Sequence, residues 1–184
     1  GPALATILPP GGWGKPAVDG AGNVYFAVPA WNAVLRVTLA GRIERYAGNG
    51  LARFSGDGGP ALLASLNRPR DVAVDTRGNV YVADVGNRRV RRVQTDRTIE
   101  TVAGGGNQVP TLGGIGGAQA ALPGLETVAV DGVGNLYTNI DATSIARIDS
   151  DASTIRLYAG VPGVAGVPVN GPATAARFGA IRGL

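Results

Sequence analysis

Three aspartates recur at a fixed spacing and are the first candidates for chemistry. Asp19, Asp75 and Asp131 each open a phrase of the form Asp-x-x-Gly-Asn-x-Tyr, and consecutive copies start 56 residues apart. Carboxylates are hard oxygen ligands, so three of them brought together would suit Ca²⁺. An EF-hand loop, however, needs alternating ligands and a bidentate Glu at its twelfth position, and no stretch of this chain supplies both.

A repeated turn explains the same residues without a metal. Asp favours the first position of a tight turn, where its side chain accepts a backbone N–H two residues on, and Gly takes positive φ. We favour this interpretation because the copies occupy the same station of three repeats. The predicted turn residues are Asp19, Gly22, Asn23, Asp75, Gly78, Asn79, Asp131, Gly134 and Asn135.

The composition removes most catalytic chemistry. The chain has no His, the commonest general base, and no Cys, so a Ser-His-Asp set, a thiolate metal site and a disulfide are all excluded. The glycine runs at 104–106 and 113–117 lack the Gly-Lys-Ser/Thr of a phosphate-binding loop, and Lys15 is the single Lys. We predict no catalytic residues, no cofactor, no transition metal and no enzymatic activity.

The densest charge cluster is Arg88-Arg89-Val90-Arg91-Arg92. Arginine forks suit phosphate or carboxylate, so one hypothesis is a nucleic-acid-binding face. The other is a solvated strand with outward Arg side chains. We favour the second, because only Tyr81 stands near to stack on bases and the net charge of the chain is a mild +4.

The elements that position these residues follow a period of 56. A second landmark keeps the same step, at Tyr46-Ala47-Gly48, Val102-Ala103-Gly104 and Tyr158-Ala159-Gly160. Each repeat holds four short runs rich in β-branched and aromatic residues, separated by turns. Four strands per repeat of about 50 residues describe one blade of a β-propeller. No apolar run reaches the ~20 residues of a membrane-spanning helix.

The second repeat resembles a known family. Ala73-Val74-Asp75, Gly78-Asn79-Val80-Tyr81, Asp84, Asn87-Arg88 and the closing Val102-Ala103-Gly104 are similar to an NHL repeat. The loop beginning Gly56-Asp57-Gly58-Gly59 is similar to that of long-loop bacterial NHL propellers. The resemblance implies a six-bladed ring and favours a secreted or extracytoplasmic protein. It also keeps two alternatives open, since the family includes an amidating lyase and RNA-binding domains, and related propellers include lactonases.

Three blades do not make a closed ring, because closed propellers have at least four. We expect a lead at 1–16, with Gly1-Pro2 as a tag scar, and blades with their long loops at 17–72, 73–128 and 129–184. Each terminal blade would leave an apolar face uncovered. Either the chain is a piece of a larger propeller, or two copies close a six-bladed ring. The resemblance to six-bladed NHL propellers favours the second, so we predict half of a six-bladed ring and a homodimer that closes it.

A ligand, if there is one, is expected on the face that carries the long loops and the loops between the second and third strands. Exposed Trp and Arg are frequent binding anchors there. We predict a non-enzymatic binding or scaffolding module whose partner is a protein or peptide, and we expect neither nucleic acid nor membrane as a partner. The candidate ligand-binding residues are Trp31, Asn32, Asp84, Asn87, Arg88 and Asp141.

Overall fold

The computed structural model describes residues 12–166, 171–181 and 183–184. Gly1-Pro2 and most of the lead lie outside this part of the chain. The described residues form an all-β protein, as the repeat predicts, with one antiparallel sheet per repeat. We call these sheets blades 1, 2 and 3, and they do not close into a ring.

Every blade places its strands in chain order from the inner to the outer edge. Blade 1 consists of β1 (Ala17–Val18), β2 (Val24–Val28), β3 (Ala33–Val37) and β4 (Ile43–Ala47). Blade 2 consists of β5 (Pro69–Val74), β6 (Val80–Asp84), β7 (Arg89–Val93) and β8 (Ile99–Gly104). Blade 3 consists of β10 (Val128–Val130), β11 (Leu136–Asp141), β12 (Ser144–Ile148) and β13 (Thr154–Gly160). A short β9 (Ile115–Gly116) adds a fifth strand to blade 3.

Alternation of side chains along the strands builds a core between neighbouring blades. In β6, Tyr81 and Ala83 face blade 3, whereas Val80 and Val82 face blade 1. Both sets are almost completely buried, so a central strand must be apolar on both faces. We call the side of a blade that meets the next blade its forward face, and the opposite side its rear face.

The long connections between blades run along the outer edge of the next blade. We call them strap 1 (48–68) and strap 2 (105–127), and we give the name strap 3 to the segment after blade 3 (161–184). Strap 1 bonds to the outer strand of blade 2 through Gly58 N–H to Ile99 O (2.8 Å) and Ile99 N–H to Gly59 O (3.0 Å). Strap 2 contributes β9, which pairs with β13. The straps therefore cover strand edges that would otherwise expose unpaired backbone groups.

The three Asp turns have the same geometry. Asp75 accepts N–H groups from Arg77 (2.9 Å) and Asn79 (2.8 Å), the side-chain amide of Asn79 (2.7 Å) and the hydroxyl of Tyr81 (3.1 Å). Asp19 and Asp131 make the equivalent four bonds. The turn glycines Gly22, Gly78 and Gly134 have φ of 80°, 90° and 95°. Each carboxylate thus serves its own turn, and the three lie on different blades.

Hydrogen bonding also sets the protonation of two of these turns. The bond from the Asn135 side chain holds the pKa of Asp131 below its ordinary value. Burial acts to raise the pKa of Asp19, but its bonds from Asn23, Tyr25 and Ala21 outweigh burial and lower it. Both carboxyl groups are therefore charged acceptors at neutral pH.

The described part of the chain has no helix that is long and apolar enough to span a membrane.

Candidate functional site

The loops between the second and third strands of each blade lie beside the start of the straps, and they carry the predicted binding residues. In blades 1 and 2 the loop is a single 3₁₀ turn, Pro29–Trp31 or Val85–Asn87. The residue after it, Asn32 or Arg88, is left-handed with φ of 47° or 53°. Asn tolerates that conformation better than Arg does, because its short side chain bonds locally.

Asp84 is not exposed on this face, although the sequence places it among ligand-binding candidates. Its side chain is fully buried, and its carboxylate accepts Asn67 N–H (2.7 Å) and the side-chain amide of Asn87 (2.8 Å). Burial raises the pKa of Asp84, against the opposing effect of these bonds and of Arg91. Asp84 therefore anchors the strap and the loop, and a surface ligand has no access to it.

Arg91 corrects the expectation that the arginines of the third strand point into solvent. Its side chain is fully buried, and its guanidinium lies 3.4 Å from the carboxylate of Asp84 and 2.7 Å from that of Asp57. It also donates to the carbonyl oxygen of Ser55 at 3.2 Å. A buried arginine needs such partners, because an unpaired charge in the interior is strongly unfavourable. Arg91 thus fastens strap 1 to blade 2.

The remaining arginines of the cluster are also mostly engaged. Arg89 stacks on the Phe54 ring with its guanidinium carbon 3.9 Å from the centroid. Arg92 forms an ion pair of 2.5 Å with Glu100. Arg88 is exposed at the tip of the loop. The cluster therefore offers much less free positive charge than the sequence indicates, which weakens the hypothesis of a phosphate-binding face.

The two candidates in blade 1 hold loops together. Trp31 is half-buried and packs against the small apolar cluster of Phe26, Val28 and Leu35 on the rear face. The side chain of Asn32 accepts Arg68 N–H (2.9 Å) and donates to Gly50 O (3.2 Å). Asn32 thereby joins the loop of blade 1 to both ends of strap 1.

Asp141 occupies the corresponding loop of blade 3. It accepts Thr143 N–H (2.8 Å), Gly163 N–H (2.8 Å) and the hydroxyls of Thr143 and Ser144. Burial acts to raise the pKa of Asp141, but these bonds lower it on balance. Asn87 is similar, since it donates to Arg53 O in strap 1 at 2.9 Å. The candidates on this face therefore fix loops, and Arg88 is the one whose side chain projects from it.

The structure reveals a second site that the sequence analysis missed. A pocket of about 570 Å³ lies where the inner strands of the blades begin, and we call it the axial pocket. Its polar lining residues stand at equivalent repeat stations, with Lys15, Asp71 and Thr127 at one and Arg70 and Glu126 at the preceding one. The spacing of 56 could have revealed this set, but the residue types differ between repeats, so no motif marks it.

A family model indicates the repeat type, and two solved structures share the fold. A model of the teneurin NHL domain matches residues 36–113. A Bacteroides thetaiotaomicron protein of unknown function aligns over 93% of this chain and 41% of its own, with a TM-score of 0.67 and 19% identity. Virginiamycin B lyase from Staphylococcus aureus aligns over 83% of this chain and 42% of its own, with a TM-score of 0.54 and 16% identity. Residues 36–113 therefore match NHL-type repeat sequence, and the described chain folds as a β-propeller segment. The two structural likenesses show the fold alone.

The curated relatives are much longer than this chain. Mouse teneurin-1 is 32% identical over 112 residues, which is 58% of this chain and 4% of teneurin-1. Human teneurin-4 is 37% identical over 76 residues, which is 36% of this chain and 3% of teneurin-4. These relatives are mammalian, so the bacterial origin suggested by the long loops stays a prediction.

Proposed function

We propose that this NHL segment is a non-catalytic binding and scaffolding module that pairs with a second copy of itself to complete a six-bladed ring. The observation that carries the proposal is one repeat station, which is covered in two blades and exposed in the third. Tyr46 is 3% exposed and Val102 is 4% exposed where the next blade covers them. Tyr158 occupies the same station on blade 3 and is 47% exposed.

The forward face of blade 3 has the chemistry of a face made for another blade. Tyr158 meets Tyr137 edge-on, with ring centroids 5.1 Å apart, as Tyr46 meets Tyr25 at 4.8 Å. In the seam between blades 1 and 2, Arg97 of the following blade lies 3.9 Å over the Tyr46 ring. The station of Arg97 in blade 1 is Gly41, around which there is open space. The turn of blade 1 at Gly41 would therefore leave room for Tyr158 of a second copy.

The rear face of blade 1 offers a matching surface. Its residues at the stations of Val80, Val93 and Ile99 are Val24, Val37 and Ile43, which are apolar but only half-buried. Their counterparts in blade 2 are completely buried against blade 1. Apolar surface of this kind is stabilised by removal from water, so joining the two faces is favourable.

Strap 3 supports the same arrangement. Strap 1 carries Gly59-Pro60-Ala61, and Pro60 bridges to Thr98 at the outer edge of the next blade. Strap 3 carries the same tripeptide at Gly171-Pro172-Ala173, and the station of Thr98 in blade 1 is Arg42. In the proposed ring, strap 3 of one copy covers the outer edge of blade 1 in the other, and two-fold symmetry makes both seams alike.

Light scattering with size-exclusion chromatography tests the pairing. We expect about twice the 18.5 kDa chain mass, unchanged on dilution to low micromolar concentration. Tyr158→Glu buries a charge in the seam and should give a folded monomer. Leu63→Glu is the matched control, because Leu63 is 71% exposed on a strap and lies away from the seam. A wild-type monomer at these concentrations would refute the ring.

The absence of catalysis belongs to the same proposal. A lyase is among the solved structures with this fold. The present chain, however, has no His to act as a general base. Purified dimer should show no lactonase or lyase turnover. This expectation would be contradicted by turnover that disappears when a lining residue of the axial pocket is substituted.

An extracytoplasmic location, favoured by the family resemblance, is likewise part of the proposal, and fractionation of the source cells tests it.

A further inference from the structure

The axial pocket contains a buried carboxylate oxygen without a partner. Asp71 lines the pocket and is 6% exposed. Its Oδ2 accepts the hydroxyl of Thr127 (2.7 Å) and the N–H of Val128 (3.1 Å). Its Oδ1 has no hydrogen-bond donor within the described residues. Buried polar atoms are nearly always paired, so this oxygen is available to a donor that the described residues do not supply.

Some polar side chains of the pocket already have partners within the protein, and others are available to a ligand. Arg70 and Glu126 neutralise one another in an ion pair of 2.7 Å. The side chain of Asn139 accepts the N–H groups of Glu126 and Thr127 and donates to the carbonyls of Gly124 and Asp141. Lys15 is exposed, and its ammonium lies 3.4 Å from the carbonyl oxygen of Leu184. Among the described residues, an acceptor on Asp71 and a cation on Lys15 therefore remain for a ligand.

We infer that the axial pocket binds a small zwitterion of the α-amino acid class, with its ammonium group on Asp71 and its carboxylate toward Lys15. A charge-assisted bond to an ammonium is the strongest complement to an ionised carboxylate that lacks a donor. A purely anionic ligand would meet the carboxylate of Asp71, and a purely cationic one would meet the ammonium of Lys15. A volume of about 570 Å³ lies within the range of small-molecule sites.

The two side chains that carry this inference do not depend on the proposed ring. Trp13 of the pocket stacks on Phe26 of the rear face of blade 1, but neither Asp71 nor Lys15 lies on the forward face of blade 3. Loss of dimerisation in Tyr158→Glu should therefore leave ligand binding intact. Failure of one proposal does not imply failure of the other.

Titration calorimetry with chemically matched probes tests the site. L-serine should bind saturably with one molecule per chain. N-acetyl-L-serine lacks the ammonium and ethanolamine lacks the carboxylate, so each should bind at least about tenfold more weakly. L-leucine and L-lysine report whether the side chain contributes, and D-glucose represents a neutral polyol.

Two variants and a control assign the contacts. Asp71→Asn keeps the shape and the acceptor for Thr127 but removes the charge, and Lys15→Gln changes an exposed side chain. Each should weaken L-serine binding about tenfold or more while leaving the circular dichroism spectrum unchanged. Arg77→Gln is the control, because Arg77 is an exposed cation in the Asp turn of blade 2.

Three results would overturn the inference. One is no saturable heat with any amino acid, which would mean that water alone satisfies Asp71. Another is unchanged L-serine affinity in Asp71→Asn. The third is glucose binding that equals L-serine binding and is insensitive to Lys15→Gln, which would make the site a polyol site.

Discussion

Blades 2 and 3 have the same strand order and the same Asp turn, yet their surroundings differ. Blade 2 is covered on both faces, and Tyr81 is 3% exposed. Blade 3 is covered on its rear face alone, where Leu136, Ile148 and Ile155 are buried, while Tyr137 on the forward face is half-buried. The comparison shows that each repeat encodes a blade with two apolar faces, and that a neighbouring blade is needed to bury each of them.

A second difference lies inside the blades. The station pair Asp84 and Arg91 is charged in blade 2, whereas blade 1 has Val28 and Leu35 there, and all four are buried. Strap 1 explains the charged pair, because Asp57 reaches from the strap to Arg91 and also accepts the hydroxyl of Thr101 at 2.7 Å. The charged pair thus specifies where the strap lies, which an apolar pair cannot do.

Breaking that pair should have the largest effect. Arg91→Leu leaves Asp84 buried without its cation, and we expect a loss of about 3–5 kcal/mol in the free energy of unfolding. The double variant Asp84→Val with Arg91→Leu copies the blade 1 pair and should recover part of that loss. It removes the unpaired buried charge, but Asn67 N–H and the Asn87 amide lose their acceptor. Urea denaturation measures both.

Limited proteolysis provides a second test, because it reports whether strap 1 stays attached to blade 2. The double variant should free strap 1, so limited proteolysis should cut it sooner at Arg53 than in the wild type, while Val28→Ala in blade 1 should not change that cleavage. If the double variant is as unstable as Arg91→Leu, the loss comes from detaching strap 1. It would then not come from leaving the Asp84 charge unpaired in the interior.

The next largest loss of stability is expected at a glycine that ends the outer strand of blade 2, compared with a glycine in its Asp turn. Gly104 has φ of 96°, and a Cβ there would collide with the backbone of Arg88 and Arg89. Gly78 has φ of 90°, but its Cβ would lie an ordinary 3.6 Å from Thr95 Cγ2. We expect Gly104→Ala to cost more than about 2 kcal/mol, and Gly78→Ala about 1 kcal/mol, since the second adds backbone strain without a collision.

Thermal unfolding of the two variants checks this order, and equal losses would mean that strain alone decides both. Gly48 and Gly160 occupy the station of Gly104 and have the same close approach to the preceding loop. The repeated Ala-Gly landmark therefore records a place where two backbone segments touch.

The fold was predictable because the chemistry of a blade is local. Alternating apolar residues, the Asp turn and the Ala-Gly landmark all lie within one repeat and recur in the next. The pairing of Arg91 with Asp57 was not predictable, because the partners are 34 residues apart on a strap whose path no periodicity reports. The axial pocket was not predictable for a similar reason. Its residues come from different blades, and those at equivalent stations differ in type, so no motif marks them.

The smallest effect sharpens the comparison of the two blades directly. Tyr81 donates its hydroxyl to Asp75 at 3.1 Å, and Tyr137 donates to Asp131 at 3.2 Å, so the bonds are alike and the coverage differs. Removing a buried hydrogen bond costs about 1 kcal/mol, and water replaces most of an exposed one. In the monomeric Tyr158→Glu background, Tyr81→Phe should therefore cost about 1 kcal/mol and Tyr137→Phe a few tenths of that. In the wild-type dimer the ring would cover Tyr137, and the two losses should converge. Urea denaturation at matched protein concentrations measures them, and a difference that persists in the wild type would show that no blade covers Tyr137 in solution.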